Sequence, residues 1–268
     1  MQRGGSRILG KASLWLAGGS LYATTCYFSY HYWRLMKSDV AASDIPLSVM
    51  EHGQRMQQFQ KIANHYDDDI GRDEQVLGIP ILRRMLLFFH ARGTCLEVGA
   101  GTARNLPYYR TSSNVVNRVV LSDASEQMLE QAKEKIRALP VTKRSRFATL
   151  KADAAELREV FPDNSFDTVI DTFGLCSFQD PVAVLKELSR ICKPTGKILL
   201  LEHGRSHSWE FITKHLDSHA LEHAANWGCV WNRDLDKILE EASDDLEVDV
   251  LSRYHLGTTY YIVCRPRK

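Results

Sequence analysis

Cys95-Leu96-Glu97-Val98-Gly99-Ala100-Gly101-Thr102-Ala103-Arg104-Asn105 decides how this chain folds, because a short apolar run ends there in two closely spaced glycines. The pattern predicts a buried β-strand that runs through a glycine turn into a helix. Glycines at such a corner let backbone N–H groups and a helix N-terminus approach a polar ligand with no Cβ in the way. The dinucleotide-binding fingerprint wants a small residue three positions after the second glycine, where helix packs on strand. Arg104 stands there, which disfavours an NAD or FAD site. Glu97 would repel a pyrophosphate as well and suits a cationic ligand better.

S-adenosylmethionine (SAM), with its sulfonium and α-amino groups, has the matching charge. Glu97-x-Gly99-x-Gly101 with Thr102 resembles the first motif of the class I SAM-dependent methyltransferases. That resemblance implies an α/β fold with a Rossmann-like sheet, mostly parallel and closed by an antiparallel final strand. It also implies SAM as cofactor and methyl transfer as the activity.

Downstream spacing suits an alternating α/β unit. A short helix over 105–109 is expected, then a second strand over 119–122 that ends at Asp123. A carboxylate about 20 residues past the glycines can accept ribose hydroxyls; equally, it can favour the start of the helix capped by Ser125. A third strand over 148–152 leads to Asp153 and Ala154, which the resemblance assigns to the adenine ring. A fourth strand is expected over 166–173, and the resemblance implies that its end, Thr172 to Ser177, faces cofactor and acceptor. A helix over 182–192, a Lys-Pro-x-Gly turn at 193–197 and an apolar strand over 198–202 follow. Two late strands, 246–252 and 259–264, complete a mixed sheet.

The expected cofactor contacts are therefore Tyr66, Glu97, Gly99, Ala100, Gly101, Thr102, Asn105, Asp123, Ala124, Met128, Asp153, Ala154 and Thr172. Tyr66 enters through an Ile-Ala-x-x-Tyr-Asp element resembling the lid of the quinone-precursor methyltransferases; Met56, Phe59 and Ile62 at helical spacing read as a core-facing stripe, and Asp67, Asp68 and Asp69 as solvated acids ending it. Catalytic assistance is expected from His203, at the carboxyl edge of the sheet, with Glu202, Asp171 and Arg205 behind it.

No metal is expected. His215, His219 and His223 align on one helical face, but no carboxylate at ligand spacing accompanies them. The six cysteines show no CxxC spacing and read as reduced core thiols.

Residues 1–38 carry Arg3, Arg7, Lys11, Arg34 and Lys37 with no acid, and 13–33 are free of charge. That length can cross a bilayer as a helix, so 1–38 are expected to be a mitochondrial targeting and membrane-anchor segment. A cleaved presequence or an amphipathic surface helix are the alternatives. A linker at 39–47 and a methyltransferase domain over 48–268 complete the organisation. Net charge is +1 and no basic run marks the domain, so an extended nucleic-acid surface is not indicated.

The segments Leu201-Glu202-His203-Gly204-Arg205 and Trp227-Gly228-Cys229-Val230-Trp231-Asn232-Arg233-Asp234, with Arg104-Asn105 and Arg83-Arg84, resemble the OMS-type methyltransferase-like proteins of the mitochondrial inner membrane. The resemblance implies a single-pass inner-membrane location, or the matrix after presequence cleavage. It leaves the methyl acceptor open. A quinone-like or lipid molecule is expected first. A protein or RNA acceptor in mitochondrial gene expression, or a silent SAM-binding respiratory-assembly factor, are the alternatives.

Overall fold

The computed structural model describes residues 52–268, so the expected anchor, linker and domain start lie outside the described residues. Among those described, no helix is long and apolar enough to cross a membrane.

The quoted stretch forms β1 (Gly93–Val98). It lies between two parallel neighbours, β2 (Val116–Asp123) and β4 (Phe166–Thr172). β3 (Phe147–Lys151) and β5 (Cys192–His203) extend the parallel sheet outward on either side. β7 (Thr259–Pro266) is inserted antiparallel between β5 and β6 (Leu246–Tyr254). The order is β3-β2-β1-β4-β5-β7-β6, the mostly parallel sheet the sequence predicts. From β1 the chain winds one way to β2 and β3, then crosses to β4. Open α/β sheets bind ligands at the carboxyl ends of such a switch point.

The continuous apolar runs follow from burial on both faces. In β5, Ile198 and Leu200 enter one core with Leu185 and Leu188, while Leu199 and Leu201 enter the other with Leu86 and Leu87. Helices supply the covers. Before the sheet come α1 (His52–Ile62), α2 (Tyr66–Val76) and α3 (Ile79–His90). After β2 come α4 (Glu126–Arg137) and the short α5 (Val141–Arg144). Then follow α6 (Pro181–Ile191), α7 (Glu210–Trp227) and α8 (Leu235–Glu241). Ser125 caps α4 by accepting the Met128 N–H, as expected.

Three local expectations differ from the structure. No α-helix follows the glycine turn: turns lead to a three-residue 3₁₀ segment, Leu106–Tyr108. Ala103, at φ +62°, interrupts any helical path there. Asp67, Asp68 and Asp69 do not end a helix but open α2, where the macrodipole favours acids. The Lys-Pro-x-Gly turn lies inside β5 as a bulge, since Cys192 stands opposite Phe166 and Lys197 opposite Thr168.

Candidate functional site

A cleft of about 870 Å³, counted out to its open mouth, lies at the carboxyl ends of β1, β2 and β4. Its size suits a small organic ligand. The glycine turn forms one wall. Gly99 and Gly101 adopt φ +54° and +53°, where a side chain would be strained. Among the described residues, no heavy atom beyond its chain neighbours lies within 4 Å of where a Gly101 Cβ would be, so the backbone there faces open space. The Ala100 N–H is bound by the Ser122 carbonyl at 2.9 Å, which seats the turn on β2.

Asp123 completes that wall. Its two oxygens accept the Gly101 and Ser125 N–H groups, both at 2.8 Å. Burial raises this carboxyl above its ordinary value, with the two N–H groups opposing the shift. Asp123 is itself one of the residues that line the cleft, and a carboxylate has acceptor capacity beyond two N–H groups.

Glu97 lies at the floor, 2% exposed. Its carboxylate accepts from Asn105 Nδ2 at 2.9 Å and from the Tyr109 hydroxyl at 2.6 Å. Burial outweighs both donors and pushes its pKa up to about 7. A cation in the cleft would favour the charged form.

Asn105 does not line the cleft. It is fully buried and holds Glu97 and Thr172, whose Oγ1 takes its amide at 3.0 Å. Arg83, which lines the cleft, donates to Asn105 Oδ1 at 3.0 Å, Thr172 Oγ1 at 2.7 Å and Glu74 at 2.8 Å. The sequence did carry a signal for Arg83: a cation inside the apolar Ile79, Leu82, Leu86 face of α3.

Arg104 also lines the cleft. It pairs with Glu74 at 2.7 Å and Asp67 at 2.9 Å, and Asp67 also accepts the Thr102 hydroxyl at 2.7 Å. These bonds strap α2, and so Tyr66, over the glycine turn. Neither Asp67 nor Glu74 bears a sequence mark that distinguishes it from surface acids.

Ala124, Met128, Ala154 and Phe178 contribute apolar side chains to the cleft lining, and Asp153 contributes an acid. Asp153 Oδ1 accepts the Ala155 N–H at 2.9 Å. Tyr66, Gly99, Ala100, Thr102 and Thr172 also line the cleft. The residues present fit SAM: open backbone at Gly101, a desolvated acid suited to positive charge, a second acid able to accept from a diol and apolar side chains suited to a ring.

His203, Glu202 and Asp171 do not line it. Asp171 and Glu202 are fully buried, and Glu202 accepts the Gly174 N–H at 3.2 Å. Burial raises both carboxyls well above the usual range, and Asp171 adds to the shift of Glu202. His203 packs edge-on to Phe173 with ring centroids 5.3 Å apart. Arg205 is turned toward Asp217, 2.6 Å away. On α7, His223 stacks on Trp231 at 3.9 Å, while His215 and His219 pack on one another at 4.4 Å.

Residues 96–200 match the methyltransferase domain family. The chain is 39% identical over 218 residues to the mitochondrial methyltransferase OMS1 of Saccharomyces cerevisiae, covering 77% of this chain and 45% of that protein. It is 30% identical over 151 residues to the Escherichia coli ubiquinone/menaquinone biosynthesis C-methyltransferase UbiE, covering 55% and 58% respectively. It thus spans about half the length of these relatives. A SAM-dependent methyltransferase of Leishmania major shares the fold with a TM-score of 0.57 at 14% identity, over 79% of this chain and 82% of that one.

Proposed function

We infer the function from a chain whose residues 96–200 form a methyltransferase domain: SAM-dependent methylation of a small apolar acceptor, quinone-like or lipid, at a membrane surface. The observation that carries this reading is the cleft floor, where buried Glu97, the open Gly101 backbone and Asp123 meet apolar side chains. Bound SAM supplies an electrophilic methyl group on a neutral leaving thioether. The protein's task is to align the reactants and exclude water. Glu97 balances the positive charge, Asp123 offers lone pairs to the sugar diol, and Met128, Ala154 and Phe178 shield the base. Thr172, Phe173, Gly174 and Ser177 wall the acceptor side. Asp171, Glu202 and His203 stand behind that wall, so the reading gives them no direct proton transfer.

The surface favours an apolar acceptor. Val76, Leu77, Ile81, Met85, Phe88 and Phe89 are exposed along the end of α2 and the outer face of α3, opposite Arg83. His255 donates to the Leu77 carbonyl at 2.7 Å and brings exposed Leu256 to the same patch. Arg84 and Arg92 flank it, and Arg110 lies 4.5 Å over the Phe88 ring. Cation-rimmed apolar patches suit a lipid headgroup boundary. The name of the yeast relative supports a mitochondrial location; the basic ends and uncharged middle of 1–38 carry the reading on to the inner membrane, with the matrix as the alternative.

Calorimetric titration of the protein with SAM and with its demethylated product tests the cofactor. Incubating it with methyl-tritiated SAM and mitochondrial fractions tests the acceptor. Label should enter the lipid extract. Label confined to protein or RNA would overturn the acceptor class, and SAM binding with no labelled fraction would overturn catalysis.

A further inference from the structure

Cys176, His203 and Cys229 are far apart in sequence, yet the fold gathers them. Cys176 lies in the turn after β4, His203 is the last residue of β5, and Cys229 follows Gly228, the C-cap of α7. One ligating atom from each lies within 4.8 Å of the other two. His203 Nε2 is 2.9 Å from Cys229 Sγ. Both cysteines are buried, and neither is in a disulfide.

We propose that Cys176, His203 and Cys229 form a transition-metal site of the zinc class, beside the SAM cleft and sharing none of its lining residues. Two thiolates and one imidazole are a borderline-soft donor set that selects zinc over oxygen-seeking cations. Three protein ligands leave a fourth tetrahedral position for water or an exogenous donor.

The surroundings are those of a held site. Phe173 packs against the His203 ring from one side, and His223, itself stacked on Trp231, lies 6.5 Å away on another. Such packing fixes ring orientation, which metal ligands need. Buried Arg233 donates to the carbonyls of Cys176 and Phe178, at 3.3 and 2.5 Å, placing a positive charge where two thiols must ionise. Phe173 also lines the cleft, so a metal here would stiffen the acceptor wall. His203 then serves as a ligand, which accounts for its position outside the cleft.

The full chain, reduced and stripped by a chelator, would be titrated with cobalt(II) and then with zinc. One equivalent of cobalt should bind, with tetrahedral d–d absorption and a thiolate-to-cobalt charge-transfer band that zinc abolishes. Cys229→Ser and His203→Gln should each lose more affinity than the roughly 10–100-fold typical of losing an outer partner. Melting curves of the metal-free variants identify any that misfold. In the unmutated chain, zinc should slow alkylation of Cys176 and Cys229, because a metal-bound thiolate is no longer a free nucleophile. A folded parent with no cobalt bands, equal affinity in a folded Cys229→Ser variant, or a Cys176–Cys229 disulfide that forms despite added zinc would each overturn the proposal. SAM titration of the same samples separates this outcome from failure of the methyltransferase reading.

Discussion

The Asp123 carboxylate holds the Gly101 backbone N–H at 2.8 Å, so the acid at the end of β2 and the glycine at the end of β1 form one structural unit. Asp123→Ala should therefore loosen the turn as well as remove a sugar contact. Hydrogen bonds to charged groups contribute about 1.5–3 kcal/mol, which corresponds to roughly 10–150-fold weaker SAM binding. Asp123→Asn, with a single acceptor oxygen, should fall between variant and parent. Calorimetry measures both, and unchanged affinity in Asp123→Ala would sink the assignment.

Glu97, with its pKa pushed up to about 7, makes a pH-dependent prediction. A carboxyl whose folded value lies above its unfolded one favours the folded state most at low pH. That contribution is lost as pH rises from the ordinary carboxylate range through about 7. Glu97→Gln should remove this loss, so its stability relative to the parent should improve between pH 5 and 8 by roughly 1–3 kcal/mol. A cationic ligand favours the ionised form, so SAM binding should release a proton and tighten as pH rises across the same window. Titrations in buffers of different ionisation heat would expose the proton, and a flat pH profile would contradict this role.

At Gly174 an added Cβ would overlap the Asp171 carboxylate and come within 2.9 Å of Phe178 Cζ. Gly174→Ala should cost about 1–3 kcal/mol as overpacking. In a domain of this size that lowers the melting temperature by about 2–4 °C per kcal/mol. A melting curve matching the parent would show that this loop shifts freely.

Arg104 straps α2 to the glycine turn through Asp67 and Glu74. The pairs are only partly buried, so Arg104→Ala should cost no more than about 1 kcal/mol of stability. Its larger effect should be on SAM affinity, because Thr102 and Tyr66 lose their common support; we expect a several-fold rise in Kd with little change in the melting temperature. A variant that loses stability and keeps its affinity would show that the strap serves folding alone.

The sheet was legible because its strands are buried on both faces and read as apolar runs. Glu97, Gly99, Gly101 and Asp123 stood out because each departs from its strand at a spacing set by one βαβ crossover. Asn105 looked like a contact and is a support, since nothing in a linear pattern tells the floor of a cleft from the layer beneath it. The 3₁₀ segment after the turn was not legible because Ala103 carries no mark of its left-handed backbone. Cys176, His203 and Cys229 escaped spacing rules because one β-α-β crossover and the length of α7 separate them in the chain. Asp67 was read as solvated because its partners, Thr102, Arg104 and Lys135, lie elsewhere in the chain.

Among the described residues, β6 pairs with β7 alone and is the outermost strand on its side of the sheet. It exposes Val248, Val250 and Leu251, residues that invite another chain to add a strand. Glu247 and Asp249, both ion-paired to Arg265 of β7, sit among them. A second copy docking there in register would bring its own charges against these. The margin is thus guarded against edge-to-edge aggregation, and self-association through a continuous intermolecular sheet is disfavoured.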